Sequence, residues 1–293
     1  MIFKYPIFED ISLRDYINSY FISKSKIYTL FLEKRIYING NLAKENSILK
    51  KGDILSIDES QEIDYKEDLY SVDVVYEDDY LLIINKPKGI IIHDDDKSKI
   101  NTLSNRVAKY YSDNNLALNV RFAHRLDKDT TGLIIYVKDS LSFSYMNHYI
   151  ENHEIKRYYL ALVEGNFKEK HGVINKNIGK DRHVNNKYIV SKSGKEAITY
   201  YEVIKNYKGF SLVKLLLKTG RTHQIRVHMA SISHPLLGDE IYGKKSNLID
   251  RVALHSFKLE FIHPVTKKQI NLEALLPFDM EGVLKYGIWK AYA

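Results

Sequence analysis

The 293-residue chain contains no cysteine. That excludes disulfides, zinc-thiolate sites and thiol nucleophiles together, and it fits a cytoplasmic protein. There is no run of roughly eighteen or more apolar residues, so no transmembrane helix is expected. The opening MIFKYPIFEDISL lacks a long apolar stretch followed by small residues, so no signal peptide is expected either. Gly-x-Gly-x-x-Gly, a Walker-type phosphate loop and a Gly-x-Ser-x-Gly elbow are all missing. Internal repeats and low-complexity tracts are likewise absent.

What is present is a sizeable apolar fraction, 44%, enough for one large domain or for a small and a large one. The formal net charge is +7, a modest excess that suits a polyanionic partner. Many basic proteins bind nothing acidic, so the charge alone decides little. The 23 tyrosines can stack on bases, although most such residues serve core and surface packing.

The first sixty residues read as a unit. Ser12 and Ser23 each stand before a helical pattern, the second with Ile27, Leu30 and Phe31 on one face. Arg35–Gly40 and Lys50–Ile57 alternate beside Asn-Gly and Gly-Asp turns and read as strands. Lys24, Lys26, Lys34 and Arg35 cluster on and around the second helix, as a solvated face would also have them. Residues 58–70 are polar and acidic and read as a linker, which divides the chain into 1–60, 61–70 and 71–293.

Beyond the linker the pattern is α+β, a hairpin followed by strands and helices in mixed order. The spacing predicts strands at Val72–Tyr76, Leu81–Asn85, Ile90–His93, Leu133–Val137, Tyr158–Val163, Ile198–Ile204 and Phe210–Leu217. It predicts helices from Thr102, with Leu103, Val107 and Tyr111 on one face, and near Leu141–Ile150. A further helix is expected after Thr222 as its cap, with Ile225, Met229 and Ile232 sharing a face and Pro235 ending it. Gly165–Gly194 is rich in Lys, Asn and His and reads as a mobile basic insertion.

Two segments carry chemistry. His124–Leu133, HRLDKDTTGL, puts Asp127 on a short polar loop just before a buried strand, between Arg125 and Lys128. Alone, it is also an ordinary turn in which Asp127 or Asp129 bonds local amides. Gly220–His228 places Arg221 and Arg226 at and within the start of a helix, where free amides also favour an anion. An arginine held near Asp127 would oppose its charge, and one that merely ties two elements together is the alternative. His223, His228 and His234 invite a metal reading. A helix needs i, i+4 spacing to place two imidazoles on one face, and the first two are five apart, so no metal site is expected.

Four blocks occur in order: NKPKGIIIH, HRLDKDTTGL, RYYLALVEG and GRTHQIRVHMASISHPLLGDEIYG. In these blocks the chain resembles the RluA family of pseudouridine synthases, over roughly residues 70–275. SKSKIYTLFLEKRIYINGNL followed by KKGDILSI resembles a small α/β RNA-binding module named after a small-subunit ribosomal protein. The resemblance implies a mixed, mainly antiparallel central sheet with flanking helices. It implies an enzyme that detaches uracil from its ribose, turns the ring and rejoins it through carbon 5, with no cofactor and no metal. The family's essential aspartate falls on Asp127, as nucleophile or as the group that takes a sugar proton. Its tyrosine falls on Tyr159, counting back from Ala161, and would stack on the uracil. Its arginine falls on Arg226 and would pair with Asp127. Arg125 would be the wedge behind the flipped base, with His124 supporting it, and Arg221, His223 and Gln224 fall in the substrate-binding block. Thr131 stands where serine is commonest, Lys88 where a small residue is usual, and Asp94 where proline is common.

Base flipping is required, because a stacked nucleotide hides its glycosidic bond, and it costs a few kcal/mol. Phosphate contacts to basic side chains can supply that energy, and so can a separate RNA module. The implied partner is structured RNA, large-subunit rRNA first and tRNA second, acted on by a monomer away from any membrane. Two other classes compete. A non-catalytic RNA-binding protein on the same fold would tolerate loss of Asp127, Tyr159 and Arg226. A carboxylate glycosidase would want a second carboxylate, for which Asp129 is the only near candidate.

Overall fold

The structure, a computed structural model, describes residues 1–59, 63–94 and 99–289. The chain begins with β1 (Ile2–Pro6), β2 (Ile11–Ser12), α1 (Leu13–Asn18), α2 (Lys24–Leu32), β3 (Ile36–Ile38), β4 (Asn41–Leu42), β5 (Ile48–Leu49) and β6 (Ile54–Asp58). Ser12 and Ser23 cap the two helices, accepting from the amides of Asp15 and Lys26. The sheet order is β1-β6-β3-β4, with β2 paired to β5. Strand β1 was not expected. Its alternation is real, since Phe3 and Tyr5 point inward between exposed neighbours, but only the pairing with β6 makes it a strand.

Then follow β7 (Val74–Glu77), β8 (Leu81–Lys86), α3 (Leu103–Asp113), β9 (Thr131–Val137), α4 (Ser140–Glu151), β10 (Lys156–Glu164), β11 (His171–Asn175), β12 (Ile178–Lys180) and β13 (Tyr188–Val190). The rest is β14 (Ile198–Asn206), β15 (Phe210–Leu217), α5 (Gln224–Ala230), β16 (Leu254–Ile262), β17 (Gln269–Glu273) and α6 (Phe278–Trp289). Among the described residues nine strands form one sheet in the order β11-β14-β15-β10-β16-β9-β8-β7, with β17 also on β16. Among the described residues only β16 and β9 pair in parallel, so the sheet is the mixed, mainly antiparallel one expected. Gly132 permits that junction. Its φ is +106°, and a Cβ there would meet the Ser256 carbonyl oxygen at 2.2 Å. Every residue of β9 is buried, as a continuous apolar run in mid-sheet should be.

Thr102 caps α3 through a capping box with Asn105, and Leu103, Val107 and Tyr111 are all buried. Three expectations need correction. Ile90–His93 is not a strand: the carbonyls of Ile91 and Ile92 accept from the Leu103 and Ser104 amides at the start of α3, not from a neighbouring strand. Residues 165–194 are not a structureless insertion. They supply β11, which edges the large sheet against β14, and the β12–β13 hairpin, anchored by buried Ile174 and Ile178. Two anchors are too few to register as a period. Finally, α5 is capped by His223 in left-handed geometry, with no side-chain bond from Thr222.

Several of the described residues between 58 and 70 are held by the rest of the fold. Glu59 is buried and accepts from the Ser140 amide at 2.8 Å and from its hydroxyl, with Arg121 at 3.4 Å. Tyr65 and Asp68 are buried too, Asp68 beside Arg106 at 3.5 Å. The Tyr5 hydroxyl donates to the buried Asp139 carboxylate at 2.6 Å, so the first sheet is hydrogen-bonded to the cap of α4.

Candidate active site

Asp127 lies at the tip of a loop that folds back onto β9. Before the tip, Ala123 donates to the Ile135 carbonyl at 2.8 Å, and His124 Nε2 accepts from the Ile135 amide at 3.3 Å. At the tip, the Thr130 amide closes a turn on the Asp127 carbonyl at 3.1 Å. Two buried cations fix the loop from either side. Lys86 Nζ donates to the carbonyls of Pro87, Ile90 and Lys128 at 2.8–2.9 Å. Arg251 Nη1 donates to the Asp129 carbonyl at 3.0 Å while the rest of its guanidinium forks onto Asp279. Burial pushes the Lys86 amine down to about 7, against the pull of Asp129 and Asp127.

Arg226, on the first turn of α5, reaches Asp127 Oδ2 with Nη1 at 3.2 Å. Its Nε and Nη2 fork onto Asp239 at 2.8 and 2.9 Å, and its plane lies over the Tyr242 ring at 5.1 Å. The Tyr242 hydroxyl accepts from the Tyr188 amide at 2.9 Å and meets His223 Nδ1 at 3.0 Å. A hydroxyl that donates to Nδ1 leaves the imidazole hydrogen on Nε2, which faces Asp127 Oδ2 at 3.8 Å. Burial lowers the His223 pKa, and Asp127 opposes the shift.

Tyr159 is buried on β10, opposite Ser256 at a bulge. Burial raises its hydroxyl pKa, which Arg157 lowers and Asp127 raises. Tyr158 faces the other way and bonds Glu260 at 3.3 Å, so counting back from Ala161 picked the tyrosine on the site's side.

All eight residues expected at the site line one cavity of about 1020 Å³. They do not share one role in it. Arg125 is exposed at the cavity and carries no partner among the described residues. Arg221 Nε donates to the Glu196 carbonyl at 2.9 Å. His124 is buried and ties the loop to β9. Gln224 is not a free substrate contact. Its carbonyl accepts from Thr219 and the Arg221 amide, and its amide donates to Ile198 and Thr199, so the side chain is filled by protein partners. His228, one of the three histidines weighed as ligands, is buried against Thr199 and the Lys176 carbonyl. Sequence reasoning missed Asp239 and Tyr242, although both lie in the quoted GDEIYG block. It also gave no role to Lys86 and Arg157, which stand in the quoted NKPKGIIIH and RYYLALVEG blocks, or to Arg251, which lies in a loop outside every block.

The family model described as RNA pseudouridylate synthase matches residues 80–231. An RNA pseudouridine synthase of Bacillus subtilis, YhcT, is 40% identical over 90% of this chain and 88% of its own. The ribosomal large subunit pseudouridine synthase D of Vibrio cholerae is 33% identical over 88% of this chain and 85% of its own. Among solved structures, human RNA pseudouridylate synthase domain containing 1 matches with a TM-score of 0.59 and 25% identity, over 71% of this chain and 84% of that one. The RluA-type blocks fall largely within the family match, and the chain belongs to the RNA pseudouridylate synthase family, making it an isomerase that acts on RNA.

Proposed function

We propose that the protein isomerises specific uridines of large-subunit rRNA, with Asp127 as the essential group. The observation that carries this reading is the Arg226–Asp127 contact at 3.2 Å inside a cavity also walled by Tyr159. Asp127 attacks the ribose as nucleophile or removes a sugar proton, and either act needs an ionised carboxylate held still. Arg226 supplies the opposing charge and the orientation. Tyr159 stacks on the uracil, and Arg125, exposed and uncommitted, fills the gap left by the flipped base. His124 acts through the loop that carries Arg125, and Arg221 and His223 face the substrate. Gln224 positions the turn before α5 instead of touching RNA.

Residues 1–60 act as an RNA-binding module that adds affinity away from the chemistry, and the module's Lys24 and Lys26 meet phosphate. The enzyme works as a monomer in the cytoplasm. The large-subunit reading is supported by relatives named for that RNA at about one-third identity. Deleting the gene and mapping pseudouridines across rRNA and tRNA tests the substrate. A site lost from large-subunit rRNA is expected. A site lost from tRNA instead moves the substrate class, and an unchanged map in both overturns the reading.

A further inference from the structure

Arg157 lies on β10, two residues before Tyr159, on the same side of the strand and about 7 Å along it. It is 5% exposed and lines the cavity. Its Nε has no hydrogen-bond partner, and among the described residues no carboxylate pairs with its guanidinium. A buried arginine without an anion is costly, and proteins normally pair it. Its field reaches two histidines that line the same cavity. Burial and then Arg157 itself lower the pKa of His124, to about 3, and of His153, which Arg221 and Lys218 lower further.

Room for this unpaired group is built in. A Cβ at Gly220 would come to 3.1 Å of Nη1 and 3.2 Å of Nη2. Gly220 does not occupy left-handed backbone, so glycine serves here for space and not for conformational freedom. Of the other arginines of the cavity, Arg125 also has no partner among the described residues but is exposed, where water solvates it. Arg226 is shared between Asp127 and Asp239, and Arg221 is tied to a carbonyl.

We infer that Arg157, seated over Gly220, is an anion subsite that receives a backbone phosphate of the RNA beside the nucleotide on which Asp127 acts. The planar guanidinium suits two phosphate oxygens. The subsite rests on the reading that the cavity takes a flipped nucleotide, and it adds where the chain on one side of that nucleotide is gripped. The cost of an unpaired buried charge is relieved only when RNA is bound.

The test compares wild type with Arg157→Met and Arg157→Lys on an unmodified transcript of large-subunit rRNA, and on tRNA transcripts. Arg157→Met should weaken binding about tenfold and lower the slope of log affinity against log salt by about 0.7–0.9, the share of one phosphate. Arg157→Lys should keep that slope. The melting temperature of Arg157→Met should hold or rise, because a buried charge has been removed. A neutral methylphosphonate beside the modified uridine should weaken wild type and leave Arg157→Met unaffected. A slope unchanged in Arg157→Met, or a fall in its melting temperature as the only effect, overturns the subsite while wild type still makes pseudouridine. A wild type that makes none in any transcript overturns the catalytic reading, and the subsite with it.

Discussion

Arg226 grips Asp127 with one nitrogen and Asp239 with the other two. Nη1 stands 3.2 Å from Asp127, while Nε and Nη2 stand 2.8 and 2.9 Å from Asp239. The shorter, two-point contact fixes the guanidinium plane, and Asp239 is itself held by the Ile241 and Tyr242 amides. The arginine therefore meets Asp127 in a direction set by the protein before RNA arrives.

Asp239→Asn should act through that orientation. An amide keeps one acceptor but turns a donor toward the guanidinium, which frees Arg226 to swing. Single-turnover rates should fall on the order of 10²-fold with RNA affinity little changed, as expected when a reacting group is misplaced by about 1 Å. An unaltered rate would show that Arg226 needs no second anchor.

Asp127→Asn should abolish pseudouridine formation and leave RNA affinity within about three-fold, because phosphate contacts set affinity and this carboxylate makes none. Mass-shift-neutral product requires chemical mapping of pseudouridine in the treated RNA. Product from the Asn variant would remove Asp127 from its assigned role.

That Asp127, Tyr159 and Arg226 come together in one cavity was legible in the sequence because each sits in a block whose order and spacing narrow the options. Helix α3 was legible because its cap and apolar face are local. The left-handed His223 cap was not, since it depends on Gln224 filling the turn with bonds to Thr219 and β14. Strand β11 was hidden because its partner β14 lies further along the chain, and β12 and β13, though they pair with each other, are only three residues each. The basic clamps Lys86 and Arg251 grip carbonyls, and carbonyls leave no mark on a sequence.

The first sheet offers a separate test. Lys24 is exposed near the start of α2 and Lys26 is partly so, and neither is paired among the described residues. Reversing both charges, Lys24→Glu with Lys26→Glu, should weaken RNA binding and reduce its salt dependence while the single-turnover rate at saturating RNA stays near wild type. Unchanged affinity would argue against an RNA-binding role for this module. Substitution is preferable to deleting residues 1–60, because deletion would strip Tyr5 from buried Asp139 and leave that carboxylate short of a partner.

His124 sets an acid limit on stability. It is buried, its Nε2 accepts from the Ile135 amide, and burial with Arg157 lowers its pKa from 6.5 to about 3. The unfolded chain therefore binds a proton between about pH 6.5 and pH 3 that the folded chain refuses. The stability from keeping this ring neutral is full above pH 6.5 and is lost as pH falls toward 3, at up to about 1.4 kcal/mol per pH unit. Protonation would also turn the acceptor of Ile135 into a donor, next to a buried guanidinium. His124→Gln can still accept from Ile135 but does not titrate. Urea melts at pH 4, 5, 6 and 7 should give the variant a shallower decline than wild type across this window. Parallel declines would mean that other groups govern the acid limb and that His124 already leaves its site before it takes a proton.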